Sequence, residues 1–441
     1  MKATTEQAMD IDISASATTL SFSKNEEKSQ LNIPLLLQPS LAKSKSNNTV
    51  DELGNFRMSL QWCALEHTSC VGKLTSYVFF LFLTIAVPLF SFLFVRVPAS
   101  ASQLQPFSLI KLLQLPESGL AIIAFFTLSR FFRRYGLRQL LFLDVLQEDS
   151  MYVQRGYTRE LQKAFRYLAF IMLPSFFVEL GHKILLFLRV EISVPYITPG
   201  FTLNSIVFVL VLVSWVYRTG VFLLVCVLFR LTCELQILRF EGLHKLFEGC
   251  GSNASMIFRE HVRIRRQLWV TSHRYRFFII GCLVTITVSQ LGSLLLVLES
   301  KSDTTFFNSG DLMICSAVQL SGFFLCLMGA ARITHRAQGI VSIATRWHML
   351  VTNASAASEQ WKSQMQEGLA SGSDSDSSDI RISVTPQTPS SFQTRQALVT
   401  YLQHNYGGIT LFGFLLDRGL LHTLFAFEFS LVLWILSMVA I

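Results

Sequence analysis

The chain has 441 residues, of which 51% are hydrophobic and 15% charged, and its formal net charge is +8. Soluble domains carry about 25% charged residues; the deficit, with long apolar runs recurring along the chain, excludes a soluble globule and indicates a polytopic membrane protein. The basic balance does not indicate nucleic acid, because the basic residues are spread over several loops and form no single basic domain.

Residues 1–55 are polar and rich in Ser, Asn and Lys, which predicts a disordered cytosolic segment. No apolar stretch follows a basic start, so no cleaved signal peptide is expected. Residues 56–351 are expected to form a six-helix transmembrane domain with basic cytosolic loops. Its apolar runs are Leu74–Val95, Leu120–Phe132 extended backward, Phe165–Leu188, Leu203–Leu231, Phe277–Leu298 and Leu312–Ala331. Pro116, Glu117 and Ser118 interrupt the second run, which predicts a bent or interfacial turn there. Residues 352–394 break in composition: "EGLASGSDSDSSDIRISVTPQTPSSF" is Ser-rich with interleaved Asp and Ser/Thr-Pro steps. This is a disordered cytosolic loop, either a plain linker or a phosphorylated regulatory segment. Residues 395–441 complete the chain with a last helix, half cytosolic and half transmembrane. A single helix from Gly407 to Ile441 would be about 52 Å long, against a bilayer core of about 30 Å.

Seven spans result, and the charges orient them. Of the 37 Lys and Arg residues, 30 fall in the N-terminal segment and the loops after spans 2, 4 and 6. Only Arg96, Lys111, Arg189 and Lys301 fall in the alternate loops. The positive-inside rule therefore predicts a cytosolic N-terminus and an extracytosolic C-terminus. The sequons at Asn47, Asn253 and Asn353 fall on the expected cytosolic side and are read as chance matches. None of the eight cysteines has CxxC spacing, and no nucleotide-binding, hydrolase or metalloprotease motif is present. The expectation is a non-enzyme with no catalytic residues, cofactor or metal site.

Ionisable residues inside spans are costly and need partners. Glu179, His182 and Lys183 lie in span 3 and Arg218 in span 4. Glu179 and Arg218 are both near mid-membrane by count, and Lys183 is at the i,i+4 position from Glu179. Two readings stand: an ion-pair cluster tying spans 3 and 4, or a ligand pocket completed by Trp215, Tyr217 and Gln319. Gln290 in span 5 reads as interhelical glue or a ligand contact, and Cys226 and Cys233 as packing on one face. In the last helix, Asp417, Arg418 and His422 are read either as residues snorkelling to the interface or as a subunit contact. Glu428, Val432, Ile435 and Val439 share one helical stripe. They are read either as an acidic ring below apolar rings lining a cation pore, or with Glu428 as an internal hydrogen-bonding residue.

The segments "FLDVLQEDSMYVQRGYTRELQKAFRYL", "TSHRYRFFIIGCLVTITVSQ", "ARITHRAQGIVSIATRWHML" and "GGITLFGFLLDRGLLHTLFAFEFSLVLWIL" resemble a plant family of seven-span, gustatory-receptor-like proteins of unknown function. That family in turn resembles insect gustatory and odorant receptors. In the insect signature of the last span, a Tyr is followed by five apolar residues and Gln-Phe. Here His422 stands at the Tyr position and Glu428-Phe429 at Gln-Phe. The resemblance implies an all-α tetramer, homomeric or heteromeric, in which a ligand gates cation flow. It also implies a last helix divided into a subunit-joining half and a pore-lining half. The expected partners are the bilayer of the plasma membrane or an endomembrane, a small-molecule ligand, cations, and no nucleic acid. A non-conducting receptor or scaffold and a small-solute transporter are the alternatives.

Overall fold

The computed structural model describes residues 70–96, 106–140, 146, 149–187, 191–192, 201–248, 253–299, 306–368, 389–405 and 407–440. The expected disordered segment 1–55 lies outside them. The described chain is all-α. Its helices are α1 (Cys70–Leu81), α2 (Val87–Phe94), α3 (Pro106–Leu140), α4 (Met151–Phe187), α5 (Phe201–Glu248), α6 (Ala254–Glu299), α7 (Phe306–Gly368), α8 (Pro389–His404) and α9 (Arg418–Ala440). Two short antiparallel pairs accompany them, β1 (Val95–Arg96) with β2 (Glu191–Ile192) and β3 (Thr410–Leu411) with β4 (Phe414–Leu415). Seven segments are long and apolar enough to cross a membrane.

The bundle is organised around α5. This helix is apolar around its whole circumference from Val221 to Phe229, and every residue from Val221 to Ile237 is buried, the polar Arg230, Thr232, Glu234 and Gln236 included. A helix with no polar face has to be surrounded. Helices α3, α4, α6, α7 and the first span all pack on it. Helix α4 is the opposite case: Phe170, Leu173, Phe177 and Val178 point outward, as expected of a lipid-facing helix. Helices α5, α6 and α7 have 48, 46 and 63 residues. They run well beyond the ~20 residues that cross a bilayer. Their extensions carry Arg230–Lys245, Arg259–Arg276 and Arg332–Arg346, and together they form the basic end of the bundle.

Between α1 and α2 the first span widens into a π-turn, Phe82–Ala86. In that register the Leu83 carbonyl would accept from the N–H of residue 88, which is Pro88 and has none. The Ser214 hydroxyl of α5 donates to the Leu83 carbonyl in its place.

The interruption expected at Pro116 does not end the second span, since α3 is continuous from Pro106 to Leu140 with Pro116 inside it. Asn253 is the N-cap of α6, its Oδ1 accepting from the Ser255 N–H at 3.1 Å. In the expected loop 352–394, α7 continues to Gly368 and α8 begins at Pro389; residues 369–388 lie outside the described residues.

The last helix is divided, but not within one helix from Gly407 as the sequence suggested. Helix α8 ends at His404, and a β-hairpin joins it to α9. Phe412 and Gly413 at the hairpin tip have φ of 48° and 91°, the left-handed pair that a tight two-residue hairpin requires. A Cβ on Gly408 would lie 2.5 Å from a Leu415 methyl group, so a larger residue there would have to displace that side chain. The ladder is extended by the Leu416 N–H donating to the Ile409 carbonyl at 2.9 Å, and Thr334 of α7 donates to the Leu416 carbonyl at 2.6 Å.

Candidate functional site

The sequence-derived candidates separate into three places. The first is a small cavity among α3, α5 and α7, lined by Glu117, Trp215, Arg218, Cys315 and Gln319 with apolar neighbours. Arg218 Nη2 lies 3.1 Å from Glu117 Oε2, with side chains only 3% and 9% exposed. Its Nη1 also reaches the Gln114 carbonyl at 3.3 Å and the Ser118 hydroxyl at 3.2 Å. A buried charge needs a partner and further hydrogen bonds to be tolerated, and Arg218 obtains both from α3. The Cys315 thiol donates to the other oxygen of Glu117. The space is about 10 Å³, room for roughly one water. Trp215 Nε1 and Arg218 Nε are buried and have no hydrogen-bond partner among the described residues.

This corrects the expected pairing of Glu179 with Arg218. The ion pair of Arg218 is with Glu117, while Glu179 pairs with Lys183 at 3.3 Å within α4. Trp215, Arg218 and Gln319 therefore come together, but Glu179, His182, Lys183 and Tyr217 are not among the residues lining their cavity. The reason is the position of α3. Its Glu117 follows a proline inside the helix and reaches Arg218 from α3, not from α4.

The second place is α9. Glu428 is 1% exposed, Val432 and Ile435 are also buried, and all three sit on the face packed against α6 and α7. Thr287 of α6 donates its hydroxyl to Glu428. The Gln290 amide, oriented with its nitrogen toward α9, donates to the Glu428 carbonyl at 3.0 Å and to its carboxylate at 3.1 Å. A carboxylate enclosed within one chain does not line a passage between copies. The acidic pore ring over Glu428, Val432 and Ile435 is replaced by an internal polar lock between α9 and α6. Val439, the fourth residue of that stripe, lies in the last turn of α9. The face of α9 turned outward carries Phe427, Phe429, Leu433 and Trp434, and a second strip of Thr423, Ala426, Ser430 and Ser437.

At the start of α9, Asp417 caps the helix. Its Oδ1 accepts from the Leu420 N–H at 2.7 Å, satisfying one of the unpaired donors of the first turn. Arg418 and His422 are exposed. Asp417 therefore has a role within its own chain, which the expected subunit contact did not include.

The third place was not singled out in the sequence. Asp149, in the turn before α4, binds Arg239 of α5 through Oδ2, at 2.9 Å from Nε and 2.7 Å from Nη2. Its Oδ1 accepts from Arg263 of α6, which also holds Glu260 at 2.7 Å. Asp149 and Arg239 are almost fully enclosed. This network ties three helices together at the basic end. Among the described residues no group of three or more His, Cys, Asp or Glu is arranged to hold a metal ion.

The model of a protein family of unknown function, DUF3537, matches residues 51–427. The chain belongs to the DUF3537 family. No functionally curated protein matches this DUF3537 sequence. Its fold is similar to that of the olfactory receptor OR5 of the insect Machilis hrabei. The structure of that receptor in complex with eugenol aligns with a TM-score of 0.54 at 13% identity, over 84% of this chain and 91% of the receptor. A second structure of the receptor gives 0.51 at 12% identity, over 83% and 90%. The DUF3537 chain is thus an integral, multi-pass membrane protein with a receptor-like seven-helix fold.

Within this fold, sequence reasoning missed Glu117, Thr287 and the Asp149 network. Glu117 is the sole carboxylate in the second span between Pro106 and Arg134, and that isolation was the available signal. Thr287 carried none, since a threonine in an apolar helix is ordinary. Asp149 was obscured by the basic loop around it.

Proposed function

We propose that this DUF3537 protein is a subunit of a ligand-gated, cation-permeable channel, assembled as a tetramer around α9. The observation that carries the reading is the two-sided character of α9. Its inward face is locked to α6 through Glu428, Thr287 and Gln290. Its outward face presents Thr423, Ser430 and Ser437 at seven-residue spacing, with Ala426 between. Small and hydroxylated residues on the outside of a membrane helix suit contact with other helices or with water better than contact with lipid. Four such strips around an axis make a narrow polar path, with Leu433 as an apolar constriction. The ligand is a small organic molecule that enters beside Trp215, Arg218 and Gln319 after the cavity widens. The unpartnered N–H groups of Trp215 and Arg218 favour a molecule offering an oxygen acceptor on an apolar body. OR5, with the same fold, is seen in complex with eugenol, a compound of that description.

The test is reconstitution of the purified chain in a planar bilayer, with conductance and reversal potential recorded as oxygen-bearing aromatic ligands are added. Ohmic, cation-selective currents are expected, and Ser430→Leu should lower the conductance. Glu428→Gln should leave selectivity unchanged. Saturable flux without unitary currents would instead make the protein a transporter. No flux of either kind would leave a non-conducting receptor.

A further inference from the structure

At the basic end, an open groove of about 780 Å³ runs between α5 and α7 beside the first residue of α9. Its floor is apolar, formed by buried Phe240 and Ile340. Its rim carries Lys245, Arg332, Arg336 and Arg418, together with His244 and His335, against two carboxylates, Glu241 and Glu248.

The carboxylates are already engaged. Glu241 lies 3.4 Å from Arg336 and accepts the Tyr152 hydroxyl at 3.0 Å, and Glu248 lies 3.2 Å from His244. Arg332 pairs with Glu234, outside the groove. Lys245 rests over the Tyr152 ring, 3.3 Å from its centroid. Among the described residues neither Lys245 nor Arg418 has an acidic partner. Four cations thus line the groove against two acids, with Glu234 holding Arg332 from outside it, across a space in the size range of small-ligand sites. Arg418 adds the positive end of a 23-residue helix to the same rim. Gly339 leaves the wall open, since a Cβ there would meet no atom within 4 Å.

We infer that this groove binds a small polyanion carrying two or more phosphate groups. Arginine forks suit phosphate oxygens, and several converging cations favour a multiply charged ligand over a single carboxylate. The level of the groove fits such a ligand. Arg332 ends the apolar run of α7 and Arg418 begins that of α9, so the mouth lies where lipid headgroups sit. Lys245 and Ile343 lie further out along their helices, deep enough for a headgroup raised on several phosphates. The same chemistry is offered by a phosphorylated inositol lipid and by a free inositol polyphosphate. The inference is independent of whether the protein conducts.

The experiment titrates the full chain, held in nanodiscs of neutral lipid, with inositol trisphosphate and with a dioctanoyl phosphatidylinositol bisphosphate. Dioctanoyl phosphatidylcholine, zwitterionic and without net charge, is the control, and binding is read by microscale thermophoresis. Saturable, salt-sensitive binding of at least one phosphorylated probe is expected. The double variant Lys245→Ala/Arg336→Ala should weaken it about tenfold or more, the scale of one or two lost charge-assisted hydrogen bonds. Gly339→Leu fills the groove without touching its charges and favours the helix; it should weaken binding as much while leaving the melting temperature no lower. A lipid probe bound about tenfold more tightly than the free headgroup supports the membrane-lipid source. Equal affinities support the soluble one. Absence of saturable binding by both phosphorylated probes, or unchanged affinity in both variants, overturns the inference.

Discussion

Arg218 provides the most direct test of how the bundle core is wired. Replacing Arg218 by Ala leaves Glu117, 9% exposed, without the guanidinium that now stands 3.1 Å away, and among the described residues only the Cys315 thiol remains on it. Replacing Glu117 by Ala strands a guanidinium that is 3% exposed, with the Gln114 carbonyl and Ser118 hydroxyl as remaining partners. Breaking a buried pair from one side costs about 3–5 kcal/mol, which is at least a hundredfold in the folded-to-unfolded ratio. Removing both charges leaves neither stranded. The double variant Glu117→Leu/Arg218→Met, which keeps volume, should therefore lie within about 1–2 kcal/mol of the parent. The assay is equilibrium unfolding of the detergent-solubilised chain by titrated dodecyl sulfate, followed by tryptophan fluorescence. Glu117→Leu, Arg218→Met and their double form a cycle in which the coupling should exceed about 2 kcal/mol. A parallel cycle with Glu179→Ala and Arg218→Ala should be additive to within about 0.5 kcal/mol, because Glu179 has Lys183 as its partner. Additive losses in the Glu117 cycle, or a larger coupling to Glu179, would refute the assignment.

Asp149→Ala should destabilise the chain by about 3–5 kcal/mol, because the enclosed Arg239 would lose its carboxylate and keep the Gln267 amide, while Arg263 retains Glu260; the same dodecyl sulfate titration measures it. Gly413→Val should cost more than 1 kcal/mol, since a β-branched residue does not accept φ of 91°, and limited proteolysis should cut the β3–β4 hairpin faster. His261 lies on α6 well before the apolar run that starts at Phe277. Burial, then the Arg265 charge, pushes its pKa down to about 4 from 6.5. The unfolded chain therefore binds more protons between those values, so His261 should cost stability progressively as pH falls from about 6.5 to about 4. His261→Gln should flatten the pH dependence of the unfolding midpoint over that window.

What the sequence made legible was whatever a single helix determines by itself. Apolar length marks a span whatever surrounds it, so all seven appear in the chain as read. The excess length of the last segment over a bilayer and the family resemblance announced a break in it. They did not announce its form, because a hairpin depends on Thr334 of α7 accepting a place beside Leu416, a contact 82 residues distant. The ionisable residues inside spans were found easily, because each is anomalous where it stands. Their partners were not, because partnership depends on which helices are neighbours and how they are rotated. Counting residues from the ends of spans 3 and 4 put Glu179 and Arg218 at one depth, but depth is one coordinate of three. Glu117 shares that depth and lies on the helix that actually faces Arg218. Glu428 shows the same limit from the other side. Its stripe with Val432 and Ile435 is real helical geometry, and a stripe says which residues act together. It does not say whether they face an axis or a neighbouring helix. Thr287 and Gln290, one turn apart on α6 and both reaching Glu428, decide that question for the single chain and move any conducting face of α9 to its opposite side.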